Sequence, residues 1–193
     1  MQAIVRLCGV VLGPVLGVFL GLAGTGVSAM DRPVEQLAPR PLSSALAAAR
    51  DDNWDKAMAL AARDGPVAVD LIRWTRLRAG EGTASEVLDF LSERAHWPGL
   101  DYLRRRSEAA FEHATDQQVL RFFEGRVPTS GMGALRYARA LDSVGQTGEA
   151  EATVVLAWRT LALDEAEHDA FIARYGKLLK PHHAARLSQS LWD

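Results

Sequence analysis

Two groups of acidic residues lie close enough in sequence to work together: Asp164, Glu165, Glu167 and Asp169, and the pair Glu108 and Glu112. Paired carboxylates do general acid–base chemistry when an apolar pocket keeps one protonated while the other stays ionised. Neither group sits in a sequence that supplies such a pocket. Asp164 and Glu167 have the spacing of a helix N-cap and its N3 partner. Glu108 and Glu112 are one turn apart on one helix, which is the pattern of a solvated face. No catalytic residue is assigned.

The histidines make a poor metal site. His168, His182 and His183 could be drawn together with Asp164 or Glu167. However, no His-x-x-x-His spacing occurs, and adjacent histidines on a helix point about 100° apart. A surface pair near a helix start accounts for His182 and His183. No metal and no cofactor is expected.

Arginine offers more. Arg104-Arg105-Arg106, with Arg73, Arg76 and Arg78 upstream, could line a surface for an anionic glycan or for peptide carboxylates, since the guanidinium fork pairs with carboxylate in two-point fashion. The alternative is ordinary i,i+4 pairing, such as Arg104 with Glu108. Trp54, Trp74 and Trp158 fall in apolar helical registers and read as core. Trp97, before Pro98-Gly99, sits at a turn where partial exposure is expected. Turn packing is the plain reading of Trp97, and stacking against a sugar is the alternative. Trp97, Arg104 and Arg105 are therefore the candidate contact residues for a substrate or partner. The loop Val127 to Gly133 could touch a partner, but nothing in its residues specifies one.

The elements that hold these residues begin with an export segment. Arg6 is followed by an apolar run from Leu7 to Leu22, interrupted by Gly13, Pro14 and Gly17. Small residues then lead to Val27-Ser28-Ala29. This predicts a signal peptide over 1–29, cleaved before Met30. An uncleaved anchor is the alternative. A lipoprotein is disfavoured, because Cys8 lies too early and follows Arg6 closely. Cys8 is the single cysteine, so the mature chain would have no disulfide, no zinc–thiolate site and no cysteine nucleophile. A net charge of −2 over 193 residues gives no basic excess for nucleic acid.

Residues 30–41 read as a linker, because Asp31-Arg32-Pro33 and Pro39-Arg40-Pro41 resist regular helix. From 42 to 193 the chain reads as roughly nine or ten short helices with tight breaks, and no alternating run long enough for a strand. Asn53 caps a helix from Trp54. Asp64-Gly65-Pro66 ends it and opens another, with Val67, Leu71, Trp74 and Leu77 at helical spacing. Thr83-Ala84-Ser85-Glu86 and Thr115-Asp116-Gln117-Gln118 are capping boxes. Leu100 to about His113 is expected to be one helix. Gly125 is a helix-ending residue, and Asp164 caps a helix with acidic residues in its first turn. Pro181 is expected to open the last helix. The fold class is all-α: an irregular right-handed α-solenoid of antiparallel helix pairs. One segment is tetratricopeptide-like, namely Ala138-x-Ala140-Leu141, Gly145, Glu149-Ala150 and Ala157.

Three stretches carry a family resemblance. They are His96-Trp97-Pro98-Gly99 with Leu103-Arg104-Arg105-Arg106 and Glu108; Phe122-Phe123 with Pro128-Thr129-Ser130-Gly131-Met132-Gly133 and Tyr137-Ala138-x-Ala140-Leu141; and Ala157-Trp158-Arg159 through Phe171, Tyr175-Gly176, Leu179, His182/His183, Arg186 and Leu191-Trp192. In order and spacing the chain resembles the N-terminal superhelical region of soluble lytic murein transglycosylases of the alphaproteobacterial type. That family cleaves the bond between MurNAc and GlcNAc without water or metal, giving an anhydro sugar. Its catalytic glutamate, beside a serine, lies in a lysozyme-like domain further along.

The resemblance departs in two places. Pro181-His182-His183 lacks the acidic residue that the family places before its histidine. The sequence also stops at Asp193, inside the superhelical part, so no catalytic residue carries over. The resemblance implies a periplasmic scaffold that positions peptidoglycan glycan strands for a catalytic domain outside this chain. The other reading is a standalone exported helical-repeat protein that binds a cell-wall enzyme or assembly partner. Neither reading calls for nucleic acid or for a membrane span after signal cleavage. The apolar Leu191-Trp192 end suggests a missing neighbour and predicts self-association there.

Overall fold

The computed structural model describes residues 40–190. The signal segment, most of the linker and Leu191-Trp192 lie outside the described residues. Within them the chain is all-α, with no strand. The helices are α1 (Pro41–Arg50), α2 (Trp54–Ala62), α3 (Pro66–Arg78), α4 (Ala84–Glu93), α5 (Leu100–Ser107), α6 (Asp116–Phe123), α7 (Gly131–Ser143), α8 (Thr147–Thr160), α9 (Glu165–Leu179) and α10 (His183–Ser190). Tight 3-10 turns at Glu108–Phe111 and Lys180–His182 follow α5 and α9.

Local chemistry explains most helix starts. Pro41 and Pro66 stand in the first turns of α1 and α3, where a missing N–H costs nothing. Asn53 accepts a hydrogen bond from the Lys56 amide at 3.2 Å. Thr83 with Glu86, Thr115 with Gln118, and Asp164 with Glu167 each form a full capping box, hydroxyl or carboxylate to N3 amide and N3 side chain back to the cap amide. Gly125 and Gly145 follow α6 and α7 with left-handed backbone, as residues that close a helix do.

Packing follows chain order. α1 lies on α2, α2 on α3, α6 on α7, α7 on α8, and α8 on α9, while α3 also meets α5 and α8 meets α10. Two hydrophobic clusters result. The first is alanine-rich, built from Ala45, Ala48, Ala49, Ala57, Ala61, Ala68 and Ile72, which lets α1 to α3 approach closely. The second runs from Leu77 to Leu179 and contains the stacked rings of Phe111 and Phe122, 3.9 Å apart. α3 contributes Ile72 to one cluster and Leu77 to the other, so it ties them together. In the α7–α8 pair the buried positions include Ala134, Ala138, Ala140, Leu141, Ala150, Val154 and Ala157, of which Ala138, Ala140, Leu141, Ala150 and Ala157 are the ones the sequence marked.

Several expectations need correction. Val67 is 75% exposed, because α3 buries Ala68, Ile72 and Leu77 instead. The helix from Leu100 does not reach His113. It ends at Ser107, tightens into the 3-10 turn, and turns Glu108 inward. Only Trp158, of the three supposed core tryptophans, is fully buried, at 1% exposure. Trp54 and Trp74 are half-buried against the two clusters. Pro181 lies within a 3-10 turn, and α10 begins at His183. That helix is fastened by Arg186, whose guanidinium donates to the carbonyls of Trp158 and Leu161 and stands 4.5 Å from the Trp158 ring. A cation thus takes up carbonyls that the end of α8 leaves unpaired.

Candidate functional site

Two ridges of side chains meet on α5. One is a ladder of rings and guanidinium groups. Trp97 packs on Phe90 edge to face, with centroids 5.6 Å apart, and on Trp74 at 6.1 Å. The Trp74 indole N–H donates to the Pro98 carbonyl at 3.1 Å, which fixes the ring against the α4–α5 turn. Arg78 lies between two rings, 4.2 Å from Trp74 and 4.8 Å from Tyr102. Arg105 follows at 5.8 Å from Tyr102. Tyr102 and Arg105 are both exposed, so the ladder ends at the surface.

The other ridge borders a cleft of about 310 Å³ lined by Asp101, Arg104, Arg105, Glu108, Phe122, Phe123, Arg126, Val127 and Thr129. Arg104 donates to the Phe122 carbonyl at 3.2 Å, the end of α6, while its Nε is buried without a partner. Burial, and then the positive charge of Arg126, lower the Arg104 pKa. Arg126 pairs with Asp101 at 3.0 Å on the exposed rim. Among the described residues Arg105 pairs with no carboxylate, and its guanidinium faces the Tyr102 ring.

Glu108 holds the cleft's inner wall. It is 7% exposed and accepts four hydrogen bonds: from the Thr129 amide and hydroxyl at 2.8 Å each, and from the Ser130 amide and hydroxyl at 2.9 and 2.6 Å. This corrects two expectations, the solvated Glu108 and the Arg104–Glu108 pair. The 3-10 turn aims the carboxylate at the loop before α7, where backbone donors and the helix N-terminus hold it better than one solvated guanidinium could. Gly133 makes room: a Cβ there would lie 2.6 Å from a Glu108 oxygen. Glu167 completes the clamp, accepting from the Met132 amide at 2.9 Å. With all four acceptor directions spent, Glu108 shapes the cleft and presents no free oxygen to a ligand.

The structure therefore brings Arg104 and Arg105 to one cleft and places Trp97 outside it, joined to Arg105 only through the ladder. Sequence reasoning did not find Tyr102, Phe122, Phe123 or Arg126 as contact residues, whereas Val127 and Thr129 lie in the loop it named as able to touch a partner. Thr129-Ser130 directly before a helix was the usable signal, since such hydroxyls cap amides. Glu112, the supposed partner of Glu108, is exposed. His183 sets its ring edge on Trp158 at 5.5 Å, and His168 lies 5.2 Å from the same ring. No group of three or more His, Cys, Asp or Glu is placed to hold a metal among the described residues. No helix there is long and apolar enough to cross a membrane.

These features define an all-α protein with an arginine- and aromatic-lined surface centred on one short helix. No family model, no curated protein and no solved structure matches the chain.

Proposed function

We propose that this chain is an exported helical scaffold, the superhelical region of a peptidoglycan-cleaving lytic transglycosylase, and that its α5 face positions glycan strands for a catalytic domain outside this chain. The carrying observation is the ladder Trp97–Trp74–Arg78–Tyr102–Arg105 beside an arginine-lined cleft. Sugar rings stack on exposed aromatic faces, and guanidinium groups take the carboxylates that such glycans and their peptides bear. The short connections and chain-order packing of the helices support the finer fold reading, a right-handed solenoid of antiparallel pairs that is tetratricopeptide-like at α7–α8.

One observation favours a second reading, a standalone exported protein that recruits a cell-wall enzyme or assembly partner. The groove between α8 and α10, lined by Ala152, Val155, Leu156, Arg159, Thr160 and Ala185, leaves Leu156 exposed. Apolar surface rimmed by polar residues is the usual mark of a protein contact.

The two readings separate on the intact mass of the native protein, captured from periplasmic extract with an antibody against residues 40–190. A mass well above that of residues 30–193 is expected for a scaffold attached to a catalytic domain. A mass equal to that of residues 30–193 would overturn this reading and leave the recruiting protein.

A further inference from the structure

We propose that the α5 cleft binds the carboxylate end of a short peptide whose last residue has a small apolar side chain, with Arg105 and Arg126 holding the carboxylate. The inference deepens the view of α5 as a ligand surface and rests on it, but its probe contains no sugar, so the two fail separately.

The cleft has three features that fit such a ligand. The first is unspent donor capacity. Arg105 is exposed and has no carboxylate partner among the described residues. A guanidinium in that state gains most from an anion that can accept two parallel hydrogen bonds. Glu108, the carboxylate on the cleft's inner wall, is turned away and saturated by Thr129 and Ser130. Asp101 is spent on Arg126 at the exposed rim, where a pair of this kind contributes little and can be exchanged.

The second feature is the apolar floor. Phe122 and Phe123, only 3% and 2% exposed, back the cleft, and Val127 stands 62% exposed at its edge. A ligand that is only an anion would leave this surface wet. A carboxylate with a methyl-sized side chain beside it covers both halves. The third is size: about 310 Å³ matches the last residue or two of a peptide.

The probe is N-acetyl-alanyl-alanine, compared with its C-terminal amide and with N-acetylmuramic acid, each titrated into the full purified protein. Binding is followed by amide chemical-shift changes and calorimetry. The acid is expected to bind, shifting amides of α5 and the loop before α7, with the amide form weaker by about tenfold or more. Arg105→Gln and Arg126→Gln replace surface side chains, so both variants are expected to melt like the parent while each weakens the acid by about fivefold. Equal affinity for acid and amide, no shifts at α5, or unchanged affinity in both variants would each overturn the proposal. N-acetylmuramic acid binding as tightly as the peptide acid would also overturn it, in favour of a sugar carboxylate.

Discussion

Replacing Glu108 tests how the cleft is held together. The carboxylate is buried and satisfies two backbone amides and two hydroxyls at the N-terminal end of α7. Each hydrogen bond to a charged group is worth about 1.5–3 kcal/mol net, and buried donors left without a partner cost about 1–3 kcal/mol each. These contributions are not additive, because the four donors share one carboxylate. Thr129 is exposed, so water replaces part of what its donors lose. Ser130 is more enclosed and keeps an internal partner, since its hydroxyl oxygen also accepts from the Gly133 amide at 3.1 Å. Glu108→Ala is therefore expected to lower stability by about 3–4 kcal/mol. Glu108→Gln keeps the shape and one acceptor oxygen but turns an NH2 group toward existing donors, for a loss of about 2 kcal/mol. Urea unfolding followed by far-ultraviolet circular dichroism measures both, with an unchanged slope showing that only stability moved. A loss below about 1 kcal/mol for Glu108→Ala would mean that the clamp does not hold the loop in solution.

Other outcomes follow from the same structure. Gly133→Ala places a Cβ 2.6 Å from a Glu108 oxygen and 2.8 Å from the Ser130 hydroxyl, both pinned by hydrogen bonds, so it is expected to destabilise. The loss should be about 2 kcal/mol by the same unfolding assay, and it should shrink when Glu108 is already alanine. Trp97→Ala removes the edge-to-face contact with Phe90 and the contact with Trp74, and should cost about 2 kcal/mol in thermal or urea unfolding. The Glu86 pKa is lowered, first by its hydrogen bond from the Thr83 amide and further by Arg76, against a desolvation effect that raises it. A carboxylate whose folded pKa lies below its unfolded value stabilises above the unfolded pKa, and that contribution is lost as pH falls through the folded one. Below the ordinary glutamate value of 4.5, the parent should therefore lose stability faster than Glu86→Gln, which keeps the capping box without the titration. Parallel acid unfolding curves for the two proteins would contradict this.

What the sequence made legible was local. The three capping boxes, the helix opened at Pro66 and the glycines after α6 and α7 depend on residues within one turn of each other, and the structure has them as read. The all-α class followed from the same spacing rules. What escaped was set by partners far along the chain. Glu108 looks like one of two surface carboxylates until the 3-10 turn swings it onto Thr129 and Ser130, 21 and 22 residues away. Arg104 has Glu108 one turn ahead, yet it turns to the Phe122 carbonyl. Val67 keeps helical spacing with Leu71 and Trp74, but the side of α3 that meets α1 and α2 is decided by Ala68 and Ile72, whose small or branched side chains fit the close approach. The candidate contact residues were legible in part. Arg104 and Arg105 do meet at one cleft, whereas Trp97 reaches it only through rings and a guanidinium that sequence spacing could not align.

The claim that α5 is a glycan-positioning face is tested most directly by co-sedimentation of the purified protein with insoluble peptidoglycan sacculi. The proposal predicts that the protein pellets with the sacculi, and that Tyr102→Ala with Arg105→Gln releases it while the fold persists, at a cost of about 1 kcal/mol for the lost Arg78–Tyr102 contact. Protein that stays in the supernatant at every sacculus concentration, or a double variant that pellets as well as the parent, would contradict it.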